Sequence, residues 1–298
     1  MGGQAIDTMN WPPAWRAVLA HPAFDSAGRQ LVGNMLLVCE EDERMGAVCK
    51  DAGRYLCAMY AMHLDPRGGI TQSALKAICA ASGFLSAGRA RSLLAFLQHL
   101  DFLRAATPGA RPMRYHPTPR FLAAWRRHLE LALRAAALLA PELDGLATQL
   151  TDDTLFRRFL DVQITRLHQA ALGPDPAPLV RGLFLHPYAG SQLLWALSGH
   201  GQGDAPFPPR EPVPIVLSHL AKRFGVTHVH LRGLLRQAHA QGMMVRIDRG
   251  RVEWSAPGRA MVRAHFAAQL AELIDAGRAV LPPAPGTTTA SHLLEPTG

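Results

Sequence analysis

The residues of this chain best suited to chemistry are arginines that recur in two similar segments. Residues 82–94 read SGFLSAGRARSLL and residues 223–235 read RFGVTHVHLRGLL. Each contains a hydroxyl residue (Ser86, Thr227) placed to cap a helix, then an arginine (Arg91, Arg232) and a Leu-Leu pair (Leu93-Leu94, Leu234-Leu235). In the later segment, Leu231, Leu234, Leu235 and Ala238 form an apolar stripe at helical spacing. That leaves Arg232 and Arg236 on the opposite face, with Thr227, His228 and His230 near the start. In the earlier segment, Ala90, Leu93, Leu94 and Leu97 point inward, leaving Ser86, Arg89, Arg91, Ser92 and Gln98 outside. An arginine fork can bond the edge of guanine, and a helix N-terminus with a hydroxyl can hold phosphate. The spacing predicts two helices able to present such faces to a nucleic acid.

Other chemistry finds less support in the residues. The chain contains no phosphate loop, no G-x-S-x-G and no H-E-x-x-H, and Asp152-Asp153 reads as a helix cap rather than a catalytic pair. His219, His228, His230 and His239 invite a metal reading, but His228 and His230 point in different directions on a helix and no Cys or carboxylate cluster completes a shell. Cys39, Cys49, Cys57 and Cys79 lack Cys-x-x-Cys spacing and read as buried free thiols. No catalytic residue, cofactor or metal is expected.

The elements that must position the arginines form a repeating order. A helix is predicted from about Asp25 to Glu40, a charged break at EEDER, then a helix through DAGRYLCAMYAMHLD. A short helix, SALKAICAAS, is capped by Thr71 and followed by a helix from Ser86 to near Leu100. Strands at Phe102–Arg104 and Met113–His116 precede a long helix from Pro119 to about Leu139. The second half repeats this: AGSQLLWALSG, then PIVLSHLAKRF, a turn at Gly225, a helix from Thr227 ended by Gly242, a hairpin MVRIDRGRVEW and a last helix to about Ala276. Tyr115 and Trp254 are read as equivalent, as are Arg120 and Arg259. The hairpins are basic, with Arg111 and Arg114 in one and Arg246, Arg249 and Arg251 in the other, suited to a phosphate line or a minor groove.

The expected fold is therefore mostly α with small β-wings: tandem (duplicated) winged helix-turn-helix domains on a long-helix scaffold. The expected division is an N-terminal segment 1–24, a first domain 25–141, a second domain 142–281 with a leading scaffold helix, and a disordered tail 282–298. A net charge of +8 suits a polyanionic partner without identifying one. No signal-peptide pattern opens the chain and no apolar run is long enough to span a bilayer, so a soluble, cytoplasmic protein is expected.

ITQSALKAICAASGFLSAGRARSLLAFLQHLDFLRAA and LSHLAKRFGVTHVHLRGLLRQAHAQGMMVRI resemble the winged-helix core of the MarR-type regulators. The second keeps the family's succession at Leu220-Ala221, Gly225-Val226, Thr227 and Gly242; its wing signature is reduced to Asp248-Arg249-Gly250-Arg251 and is absent from the first. The resemblance implies a nucleoid-associated transcriptional regulator of double-stranded DNA. Family members dimerise, so this chain would supply both halves as a pseudo-dimer or pair as a homodimer. It also implies room for a small-molecule effector, with Tyr60, Trp125 and Trp195 as lining candidates. Two alternatives stand beside this reading: a winged-helix protein-interaction adaptor, and a plasmid-type replication initiator.

Overall fold

The structure, a computed structural model, describes residues 11–81, 86–107, 109, 111–171, 175, 177–201, 205–248 and 250–282. The tail and the hairpin-tip Arg249 lie outside the described residues, save for Pro282. The first half runs α1 (Pro13–Ala20), α2 (Phe24–Glu41), α3 (Glu43–Val48), α4 (Ala52–Leu64), β1 (Ile70–Thr71), α5 (Gln72–Ala81), α6 (Ala87–His99), β2 (Leu103–Ala105), β3 (Arg114–Pro117) and α7 (Pro119–Ala136). The second runs α8 (Leu143–Gln149), α9 (Asp153–Ala171), α10 (Pro178–Val180, continued by a π turn at Arg181–Leu185) and α11 (Gly190–Ser198). It continues with β4 (Val213–Pro214), α12 (Leu217–Phe224), α13 (His228–Ala240), β5 (Met244–Asp248), β6 (Arg251–Trp254) and α14 (Ala256–Val280).

The fold is mostly helical with two small antiparallel sheets, and these share one topology. Their strand orders are β1-β3-β2 and β4-β6-β5. In each, a two-residue strand before the short helix pairs with the second hairpin strand: Ile70 with Tyr115, and Val213 with Val252. The hairpin then pairs Leu103 with Pro117 in one half and Met244 with Trp254 in the other. This register shifts the expected equivalence. Tyr115 matches Val252, and Trp254 matches Pro117. The long helices, capped by Thr118 and Ser255, then place Arg120 opposite Pro257 rather than Arg259.

A hydrogen-bonded device also recurs. Each of the helices α6 and α13 ends at a residue with positive φ, Asp101 (56°) and Gly242 (76°). The next amide reaches back to the helix, Phe102 N to Leu97 O and Met243 N to Ala238 O. The capping hydroxyl of the following long helix donates to the carbonyl of that positive-φ residue: Thr118 to Asp101 at 2.8 Å, Ser255 to Gly242 at 2.6 Å. The hairpin is thereby clamped to the helix it follows. Asp101 bears the steric cost of a Cβ in the left-handed region, and among the described residues its side chain makes only an exposed pair with Arg44, at 3.3 Å. Asp101→Gly should therefore stabilise the protein by about 0.5 kcal/mol and Gly242→Ala should destabilise it by about 1 kcal/mol, both read as shifts of the urea midpoint.

The long helices pack together: α14 lies against α7 and α9, and also against α1. Its buried positions run all round the helix, from Val262 through Ala264–Ala268 to Val280, as befits a helix enclosed by others. The halves are not separate bodies in the core, because α2 packs on both α7 and α11. Six short elements have no counterpart in the periodicity of the sequence: the helices α1, α3, α8 and α10 and the strands β1 and β4. Helix α3 begins inside the charged EEDER run, where the Asp42 carboxylate accepts the amides of Arg44 and Met45 at 2.8 and 3.2 Å.

Two histidines are enclosed in this core. His128 shares a 2.8 Å hydrogen bond with the Tyr55 hydroxyl, and burial pushes both His128 and His265 down to about 4. The unfolded chain therefore takes up these protons first as pH falls. Their stabilising contribution is complete above about pH 6.5 and is lost from there down to about 4, at about 1 kcal/mol per histidine per pH unit. Urea midpoints between pH 7 and 5 should show this slope, and His128→Gln should reduce it.

Candidate nucleic-acid interface

The apolar stripes of both candidate reading helices are buried: Ala90, Leu93, Leu94 and Leu97 in α6, and Leu231, Leu234, Leu235 and Ala238 in α13. The two capping hydroxyls act as expected, Ser86 accepting from Arg89 N at 3.3 Å and Thr227 from His230 N at 3.2 Å. Thr71 and Asp152 likewise accept the amides of Ala74 and Leu155.

The outward faces differ. On the first, the Arg89 guanidinium turns back to the carboxylate of Asp51 at 2.8 Å, a residue only 3% exposed that caps α4. Ser92 donates to Gly88 O at 3.4 Å, and Gln98 donates to Leu94 O at 3.2 Å. Arg114 bonds the Gly68 carbonyl, and its strand neighbour His116 meets Asp65 at 2.8 Å. Arg91 and Arg111 are exposed. The polar groups around α6 and the β2–β3 hairpin are thus largely engaged within the chain.

On the second, Arg232, Arg236 and Arg251 come together. With His239 they rim a groove of about 370 Å3 between α13 and the β5–β6 hairpin, floored by Ile215, Leu217 and Ile247. Among the described residues no carboxylate pairs with any of these three arginines. The groove's outer wall is fixed by the tie of the hairpin tip to β4, Ile215 N to Gly250 O at 2.7 Å. Cations that rim one groove repel, which is tolerable in water or against an anion. Arg246, on β5, and His228, at the start of α13, are exposed nearby. His239 joins the groove by its i, i+7 spacing from Arg232, a signal the helical period carries.

His230 is turned elsewhere. Its ring meets the Tyr188 carbonyl at 2.7 Å, while the Tyr188 hydroxyl accepts from Lys50 at 2.9 Å. The Arg54 guanidinium lies 4.7 Å from the Tyr188 ring and 4.4 Å from that of Phe96 in α6. Burial alone would raise the Tyr188 hydroxyl, but the Lys50 hydrogen bond and the charges of Lys50 and Arg54 outweigh it and hold it below its ordinary value. Lys50 and Asp51, adjacent in sequence, thereby anchor the first turns of α13 and α6.

Tyr60 and Trp125 are core side chains, Tyr60 stacked on His168 and Trp125 packed between Tyr55 and Phe121; Trp195 is half-buried. None lines the groove at α13 or a second of about 390 Å3 bounded by α2, α3 and α7. Among the described residues no His, Cys, Asp or Glu group could hold a metal ion, and no helix is long and apolar enough to cross a membrane. Comparison of the chain with protein-family models, with curated proteins and with solved structures finds no match.

Proposed function

We propose that this chain is a sequence-specific double-stranded DNA-binding transcriptional regulator built from two winged helix-turn-helix modules, of which the second engages the duplex. The observation that carries the reading is the groove rimmed by Arg232, Arg236, Arg251 and His239 between a capped helix and a hairpin. In a winged module the helix enters the major groove and the wing lies along the backbone, so a phosphate line passes between them. Arg236 and Arg251 are assigned to that line, with Thr227 and His228 at the helix start and Arg246 on the wing. The repeated strand order and the repeated hairpin clamp support two modules of one kind.

The first module is assigned a bracing role, because Arg89 and Arg114 already have partners in the chain. Arg91 and Arg111 remain as auxiliary contacts. A target read by one committed helix need not be a palindrome, and such a regulator would work on the nucleoid. Fluorescence anisotropy on duplexes selected from a random pool tests the reading. Affinity should fall steeply with salt and exceed that for random duplex; equal binding to both would refute sequence-specific recognition.

A further inference from the structure

The ridge of α13 beside the groove holds two residues that no contact among the described residues explains. Val229 stands 58% exposed in the first turn, a β-branched apolar side chain among polar neighbours. Gly233 lies one turn later, in the helix interior, where glycine is the poorest choice after proline. A Cβ there would meet no heavy atom within 4 Å. The contrast is Gly258, where a Cβ would fall 2.1 Å from the Met243 carbonyl and the chain's own packing demands glycine. Val229, Arg232 and Gly233 are spaced i, i+3, i+4 and so share one face. Arg232 sits between the ridge and the groove, without a carboxylate partner among the described residues.

We propose that this ridge is the base-reading surface and that it recognises a thymine next to a guanine in the major groove. Val229 packs on the thymine C5-methyl, the group that only this base presents there. Arg232 forks onto O6 and N7 of the guanine. Gly233 lacks a side chain so that the helix can approach the groove wall more closely than any other residue would permit. The occupant is set by charge complementarity: the same face carries Arg236 and, across the groove, Arg251. This assignment rests on the DNA-binding reading above and adds the bases read.

The full-length protein is used to select duplexes from a random-sequence pool, and the enriched duplexes are resynthesised with deoxyuridine for thymine or 7-deazaguanine for guanine. The wild-type protein should lose about fourfold on removal of the contacted methyl, the value of one buried methyl group. Val229→Ala should erase that difference. Loss of N7 should cost the wild type about tenfold and Arg232→Ala little. Gly233→Ala should raise Tm by about 1 °C while weakening binding tenfold or more, opposite signs that a structural glycine would not produce. A lower Tm, or unchanged binding by that variant, overturns the role of Gly233. Equal affinity for thymine and deoxyuridine duplexes overturns the role of Val229. Enriched duplexes indifferent to both base changes sink the ridge assignment alone, whereas absence of any enrichment sinks the DNA reading with it.

Discussion

Replacing Arg236 and Arg251 together by alanine should lower duplex affinity on the order of a hundredfold, by nearly the same factor for every sequence. The two guanidinium groups rim one groove from opposite walls, helix and hairpin. If both face a phosphate line, each releases about one condensed counterion on binding. The slope of log affinity against log salt should then be shallower by about 2 in the double variant. Because neither residue has an ion-pair partner among the described residues, their removal should leave the urea midpoint within about 0.5 kcal/mol of wild type. Arg232→Ala should behave differently: a comparable loss on the selected target, a smaller one on random duplex. Anisotropy titrations at several salt concentrations separate the two patterns. An unchanged slope in the double variant would place the backbone elsewhere and leave the groove without its assigned ligand.

The sequence carried the helices better than it carried their uses. Amphipathic periodicity located α6 and α13 within about a residue, because their buried leucines recur without interruption and Ser86 and Thr227 supply strong caps. The strands β1 and β4 escaped notice because two residues make no periodic signal, yet they complete both sheets. Equating Tyr115 with Trp254 followed aromatic character, whereas register obeys backbone pairing, which places Val252 at that position. The polar faces were least legible. Arg89 and Arg91 look alike in sequence, and the approach of Asp51, far away along the chain, distinguishes them. In the same way, Lys50 and Tyr188 gave no local sign that they would hold His230. Side-chain pairing across elements is a product of tertiary packing, and helical spacing does not encode it.

That distinction can be measured on Asp51. Its carboxylate accepts the Arg54 amide at 3.0 Å to cap α4, lies 3.3 Å from Arg54 Nε and receives Arg89 at 2.8 Å, all while 3% exposed. Asp51→Ala removes the cap, worth about 1 kcal/mol, and strips two guanidinium groups of a partly buried counter-charge. Arg54 keeps the Ala47 carbonyl and its two aromatic faces, whereas Arg89 is left with no described side-chain partner. The total loss should be about 2–4 kcal/mol. Asp51→Asn retains an oxygen for the cap and should recover about 1 kcal/mol of it. Arg89→Ala should cost about 1–2 kcal/mol, and the double variant less than the sum, because both changes break the same contact. Arg89→Ala should meanwhile leave the salt slope of duplex binding unaltered, the reverse of the pattern expected for Arg236 and Arg251. A shallower slope in Arg89→Ala with no loss of stability would return Arg89 to the interface and make the first module a second reader rather than a brace.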